Sequence, residues 1–273
     1  MNTKKRNIEI LLWTALVLIL SYLCYIPMFL EKKGIHISRV GFNARYLFVT
    51  IPFVVSILFS FKKSNLKRWF LDLFAVKVKC QAIFSCVILG SVGLFFSLIY
   101  CMIVGDKDLF TSNYPTALAV VISCSYLFVT ALIEEIAWRG FLLNKIAISK
   151  GKKIALIYVG MIWSIWHIPM WAIRNSLGFR EILIYFIWTI LISFVLGMLY
   201  YKNKSIIMVS LAHMIFNTCY IAPVKYNVIL LGCLLLLSIF VFNKKDKTLD
   251  VYRSFNFIND KLNMDSESKK EDL

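Results

Sequence analysis

Long apolar segments separated by short polar ones run along most of this chain. The apolar segments fall at about 8–30, 46–61, 81–104, 116–144, 154–172, 181–201, 205–222 and 227–242. A helix needs about 20 mainly apolar residues to cross a bilayer. The pattern therefore predicts an all-α polytopic membrane protein with about eight transmembrane helices. The basic and partly apolar stretch 62–80 is typical of a helix that lies in the membrane interface.

The composition agrees with this pattern. Hydrophobic residues make up 60% of the 273 residues, and the mean hydropathy is +0.74. Soluble domains contain roughly 45–50% apolar residues, so the chain has no room for a sizeable soluble domain. We predict one transmembrane domain over 1–242, with a core catalytic region at about 116–220, and a polar, disordered cytoplasmic tail over 243–273.

The charge distribution predicts the orientation. The chain has a net charge of +16, and most of its 31 Lys and Arg residues fall in the N-terminus, the tail and alternate loops. The positive-inside rule then places both termini in the cytoplasm. No basic stripe is interleaved with aromatic residues, so we expect no nucleic-acid partner. The partner that the pattern predicts is the lipid bilayer, and the composition with short loops indicates a bacterial plasma membrane.

Three ionisable side chains occur together in the fourth apolar segment: Glu134, Glu135 and Arg139. A charged side chain near the bilayer centre costs at least a few kcal/mol. Glu135 and Arg139 are four residues apart, so a helix would place them on one face as an ion pair. Glu134 would lie about 100° away around the helix. It is therefore the carboxylate without an obvious local partner.

Two further polar groups fall inside apolar segments. His167 follows Trp163 by four residues, and His213 precedes Asn217 by four. At 1.5 Å per residue, Glu134 and these groups lie roughly 12–20 Å from the cytoplasmic ends of their helices. A single buried histidine is typical of a hydrogen bond between helices. A set at one depth instead predicts a polar cavity inside the membrane.

Such a set can hydrolyse a peptide bond in two ways. A carboxylate such as Glu134 can act as a general base on water, while histidine and asparagine side chains donate hydrogen bonds to an oxyanion. Alternatively, Glu134, His167 and His213 could bind Zn²⁺ together with a water molecule. The residue types leave both possibilities open. The chain contains neither His-Glu-x-x-His nor Gly-x-Ser-x-Gly, so other protease chemistries have little support.

Three short motifs in this order resemble the signature of a known family, the CAAX protease and bacteriocin-processing family. Its members are also called type II CAAX prenyl endopeptidases or abortive-infection proteins. The motifs are Glu134-Glu135-x-x-x-Arg139, Trp163-x-x-x-His167 and His213-x-x-x-Asn217. The resemblance covers about Thr116 to Tyr220 and agrees with eight helices. The main departure is Trp163, where phenylalanine is commoner.

The resemblance implies an intramembrane endopeptidase. By analogy Glu134 would activate the water, and His167, His213 and Asn217 would hold the water or stabilise the oxyanion. Glu135, Arg139 and Trp163 would shape the site. Members of the family are described both as metalloproteases and as metal-free glutamic proteases. We favour the metal-free form because Asn217 offers a dedicated oxyanion donor.

The expected substrate is a peptide or a membrane protein. Eukaryotic members of the family cleave prenylated C-terminal tripeptides, whereas bacterial members are linked to bacteriocin maturation, self-immunity or peptide-signal processing. We expect a substrate without a prenyl group. The main alternative is a non-catalytic immunity or scaffold protein that keeps the motifs as structural ties. Intramembrane acids also occur in transporters, but the chain lacks the internal repeats that are typical of them.

Overall fold

The apolar segments form helices, which in a bilayer satisfy their backbone hydrogen bonds internally. The computed structural model describes residues 3–38, 41, 43–61, 73–74 and 117–219, and every regular element among them is helical. All of these residues belong to one unit, Met1–Ser238. The protein is thus all-helical over the described ranges.

The helices differ in type as well as in length. The α-helices are α1 (Thr3–Leu23), α2 (Ile26–Lys32), α3 (Ile51–Phe61), α4 (Ala117–Glu135), α5 (Asn144–Lys150), α6 (Lys152–Pro169), α7 (Phe179–Asn203) and α8 (Ile206–Cys219). A short 3₁₀ helix covers Ala44–Leu47, and two π-helices cover Ile136–Leu143 and Met170–Arg174. The first π-helix joins α4 to α5, and the second extends α6.

Four helical stretches are long and apolar enough to cross a membrane, which indicates a membrane protein. They are Thr3–Lys32, Val121–Lys150, Lys152–Arg174 and Phe179–Asn203. They coincide with the predicted first, fourth, fifth and sixth crossings.

The other predicted crossings have different outcomes. The second and seventh correspond to the shorter apolar helices Ile51–Ser60 and Ile206–Asn217. The predicted crossings 81–104 and 227–242 and the tail 243–273 lie outside the described residues, as does most of the interfacial segment 62–80. A total of eight transmembrane crossings therefore remains a prediction.

The basic sequence at 145–153, between the fourth and fifth apolar segments, predicts a loop. The structure corrects this prediction, because the stretch is helical on both sides of Gly151. Gly151 has a φ of +88°, a conformation that glycine adopts without steric cost. One residue thus reverses the chain where the basic composition suggested a nine-residue loop.

Buried tryptophans hold α1 against the first π-helix and α6. The Trp138 ring lies edge-on to Trp13 at 5.4 Å and to Trp166 at 5.6 Å, measured between ring centroids. The indole nitrogen of Trp13 donates to Ser56 of α3 at 3.1 Å, and that of Trp166 donates to Ser21 of α1 at 2.8 Å. Hydrogen bonds of this kind tie helices together within a membrane. They fix the π-helix that carries Arg139.

One end of the helix bundle is strongly basic. Ser149 bonds to Asn7, and Lys145 pairs with Glu9, so the start of α1 lies against α5. The described residues at this basic end include one acid, Glu9, beside many cations. The cations are Lys4, Lys5, Arg6, Lys145, Lys150, Lys152, Lys153, Lys202 and Lys204. The cytoplasmic placement of this end stays a prediction from the positive-inside rule.

Helices α6 and α7 approach closely at two glycines. A Cβ atom added at Gly197 would lie 2.4 Å from Leu156 Cδ2, whereas one added at Gly160 would lie 3.4 Å from the Ile190 carbonyl oxygen. Small residues allow membrane helices to come close together. The contact therefore depends on the absence of a side chain at Gly197.

We predict that Gly197→Ala lowers the melting temperature more than Gly160→Ala does. Both changes gain about 1 kcal/mol of helix propensity, so their difference reports on packing. Overpacking a buried contact costs about 1–3 kcal/mol. Tryptophan fluorescence during heating of the detergent-solubilised protein measures the difference. Equal melting temperatures for the two variants would contradict the close contact.

Candidate active site

A buried charge cluster lies where α4 passes into the first π-helix. Arg139 Nη1 donates to Glu135 Oε1 at 2.7 Å, and both side chains are fully buried. The same oxygen accepts a hydrogen bond from Nδ1 of His213, on α8, at 2.7 Å. Arg139 Nη2 also contacts Ser193 of α7, with 3.1 Å to its hydroxyl oxygen and 3.3 Å to its carbonyl oxygen. The cluster thus links three parts of the bundle.

Glu134 has a different environment from its neighbour Glu135. The Trp163 indole nitrogen donates to Glu134 Oε2 at 3.0 Å. Over the described residues, Glu134 Oε1 makes no hydrogen bond. Arg139 contacts the ring of Trp163, with 4.8 Å between its guanidinium carbon and the ring centroid. Arg139 is therefore bonded to Glu135, and the Glu134 carboxylate keeps one oxygen available.

The first π-helix places these residues at a change in helix geometry. Glu134 and Glu135 are the last residues of α4, and Arg139 lies within Ile136–Leu143. A π-helix pairs each N–H with the carbonyl five residues earlier and occurs frequently at functional sites. All eight of its residues are buried. The packing around the segment therefore supports the wider turn.

The hydrogen bonds of the two histidines fix their roles as donor or acceptor. His167 Nδ1 lies 2.7 Å from the Trp163 carbonyl oxygen. A carbonyl oxygen accepts only, so Nδ1 carries the proton and the neutral ring keeps a lone pair on Nε2. His213 Nδ1 lies 2.7 Å from Glu135 Oε1 and donates to it, so Nδ1 carries a proton and the ring is held in one orientation.

Five of the residues that the sequence singles out line one pocket of about 350 Å³. They are Glu134, Trp163, His167, His213 and Asn217. The pocket size is within the usual range for ligand sites. Glu135 and Arg139 do not line it and contact it through His213 and Trp163. The site thus consists of a group of side chains that face the pocket and a buried pair behind them.

The zinc alternative, with Glu134, His167 and His213 as ligands, stays a prediction. In the part of the chain that the structure describes, no group of three or more His, Cys, Asp or Glu side chains is placed to hold a metal ion. Glu134 is bonded to Trp163, and the Nδ1 atoms of His167 and His213 are engaged by a carbonyl and a carboxylate. We derive no step through a metal.

The comparison with protein families agrees with the motifs. Residues 116–219 match the family model described as type II CAAX prenyl endopeptidase Rce1-like. The match agrees with the resemblance to the CAAX protease family that the three motifs carry. A comparison with curated proteins gives no match. The family domain contains α4 to α8, all five pocket residues named above and the buried Glu135–Arg139 pair. The matched family model is that of a protease, so the match supports a membrane protease, a hydrolase, as the function to be tested.

Several residues of the matched segment were not anticipated from the sequence. Trp171 stacks on His167 with 5.4 Å between ring centroids, and Ser193 supports Arg139. Arg174 and Asn175 reach the pocket from the end of the second π-helix. Trp171 could have been found from its position four residues after His167. Ser193 gives no signal beyond being polar within an apolar helix.

We predict that Arg139→Met destabilises the protein strongly, because it leaves the Glu135 carboxylate buried without its strongest partner. Breaking a buried ion pair from one side costs about 3–5 kcal/mol. The double variant Glu135→Gln, Arg139→Met should be more stable than Arg139→Met alone. Chemical unfolding in detergent followed as a double-mutant cycle checks this. Losses that simply add would contradict a direct pair.

Proposed function

We propose that the chain is an intramembrane endopeptidase in which Glu134 acts as the general base on water without a metal ion. The observation that carries the proposal is the Glu134 carboxylate, which lines the pocket, is held through Oε2 and has Oε1 available. A candidate general base must reach the proton that it removes. A water molecule in the pocket beside Oε1 meets this condition.

The first step uses Glu134 and His167 together. Glu134 Oε1 takes a proton from the water as the water oxygen attacks the carbonyl carbon of the peptide bond. The lone pair on His167 Nε2 accepts a hydrogen bond from the other O–H of the water and so orients the water molecule. Stacking on Trp171 and the bond to the Trp163 carbonyl restrict the ring of His167. His167 therefore positions the water and does not stabilise the oxyanion.

The second step uses donors on α8. The tetrahedral intermediate carries a negative charge on oxygen, which receives hydrogen bonds from His213 Nε2–H and the Asn217 amide. The two residues are four apart on α8 and both line the pocket. The Glu135 carboxylate orients the His213 ring through Nδ1, and the proposed step uses the ring in the form that donates from both nitrogens. Glu134 then gives its proton to the leaving amine as the C–N bond breaks.

The pocket lining supports a peptide substrate with apolar side chains. Much of the remaining wall is aromatic or aliphatic, and it consists of Val49, Tyr126, Leu127, Met170, Trp171, Trp188, Ile192 and Phe216. Apolar walls with a few convergent polar groups are typical of a binding site. We propose a peptide or a membrane protein as substrate, in the plasma membrane of a bacterium. Bacteriocin maturation, self-immunity and peptide-signal processing are the physiological roles we propose.

We predict that Glu134→Gln lowers peptide cleavage by about a hundred- to ten-thousandfold, the usual contribution of a general base. The measurement uses a quenched fluorescent peptide library and detergent-purified protein, with and without chelator. Glu181→Gln is the matched control, because Glu181 lies in the first turn of α7 and does not line the pocket. It should cleave as the unchanged protein does.

The outcomes of this experiment separate the alternatives. Cleavage by Glu134→Gln at the normal rate would overturn the proposal. Loss of activity with chelator that zinc restores would replace the metal-free mechanism with a metal-dependent one. A non-catalytic immunity or scaffold protein would instead show no cleavage, and its protective effect would survive Glu134→Gln.

We also predict that Trp163→Phe lowers kcat about tenfold or more with little change in KM or melting temperature. The change removes the N–H that holds Glu134 Oε2 and keeps a ring beside Arg139. A hydrogen bond to a charged group contributes about 1.5–3 kcal/mol. Trp188→Phe is the control, since Trp188 lines the same pocket and its indole nitrogen makes no hydrogen bond among the described residues. An unchanged kcat for Trp163→Phe would show that the indole N–H does not position the base.

A further inference from the structure

A second pocket lies at the basic end of the bundle, between α1, α5 and α6. Its volume is about 240 Å³, and its lining is Asn7, Ile10, Leu11, Ile146, Lys150 and Tyr158. None of these residues lines the catalytic pocket. We propose that this basic-end pocket binds the headgroup of an anionic phospholipid, with the phosphate held by Lys150 and Asn7.

Two hydrogen-bond donors are available at the rim of the pocket. Lys150 is exposed in the last turn of α5, and among the described residues it makes no hydrogen bond or ion pair. Asn7 Oδ1 accepts from the Ser149 hydroxyl at 2.6 Å, which turns the amide NH₂ of Asn7 away as a free donor. An ammonium beside an amide N–H matches the oxygens of a phosphate group.

The floor of the pocket is apolar and favours a lipid over a soluble anion. Ile10 and Ile146 are buried, while Leu11 is 65% exposed on the outer face of α1. A free phosphate would cover none of this surface, whereas the glycerol and upper acyl carbons of a lipid would cover it. The volume suits a headgroup with its glycerol, and the acyl chains would continue along Leu11 into the bilayer.

The surroundings have the charge that an anionic lipid requires. The basic end carries Lys4, Lys5 and Arg6 on the first turns of α1, and its one described acid, Glu9, is paired with Lys145. Basic pockets between membrane helices on the cytoplasmic side are known to take anionic headgroups. The proposal is independent of the proposed protease, because no pocket residue takes part in the catalytic steps.

The test is native mass spectrometry of the full chain released from nanodiscs of phosphatidylglycerol or of phosphatidylcholine. The expected result is retained phosphatidylglycerol on the unchanged protein and little retained phosphatidylcholine. Lys150→Gln and Asn7→Ala should each lower phosphatidylglycerol retention about fivefold or more. Lys202→Gln is the matched control, since Lys202 is also exposed at the basic end and lies outside the pocket. It should change retention less than twofold.

Two results would overturn the proposal. Equal losses for Lys150→Gln and Lys202→Gln would show that lipid is attracted by the overall charge of this end. Displacement of phosphatidylglycerol by millimolar inorganic phosphate, with phosphate retained at the site, would identify a soluble anion as the ligand. Melting temperatures confirm that the variants are folded, and Asn7→Ala separates hydrogen bonding from net charge.

Discussion

The constraint on which the site depends is the burial of Glu135 and Arg139 inside a membrane bundle. A charge removed from water must be paired and hydrogen-bonded. Here one carboxylate oxygen accepts from Arg139 and His213 together, and Arg139 also bonds Ser193. Satisfying these charges draws α4, α7 and α8 to one point. The pocket beside them therefore has a fixed geometry.

The same constraint gives two adjacent carboxylates different environments. Glu135 is fully buried and holds its partners, whereas Glu134 faces the pocket and is bonded to Trp163. Arg139 lies against the ring of Trp163 and bonds Glu135, whereas the hydrogen bond that Glu134 accepts comes from the Trp163 indole. Neighbouring residues on one helix thus provide a structural charge and a free base.

The sequence predicted the helical class, the four candidate spans and the residues that meet at the pocket, because apolar run length and four-residue spacing are local signals. It could not predict the bond from Trp163 to Glu134 or the support from Ser193, since both depend on how separate helices rotate. It also missed the π-helices. The wider turns depend on how neighbouring side chains pack around the segment, for example Leu73 against Gly140. The amino-acid composition of the segment gives no sign of them.

The π-helix over Ile136–Leu143 makes this part of the chain sensitive to its length. A π turn accommodates more residues than an α turn, so removal of one residue would let the segment return to α geometry. The residues of the wider turn, Arg139 among them, would then move relative to α4, while the helix beyond the turn would largely keep its register. Apolar exchanges within the segment would keep the register. Insertions and deletions here should therefore be far less acceptable during divergence than changes of side chain.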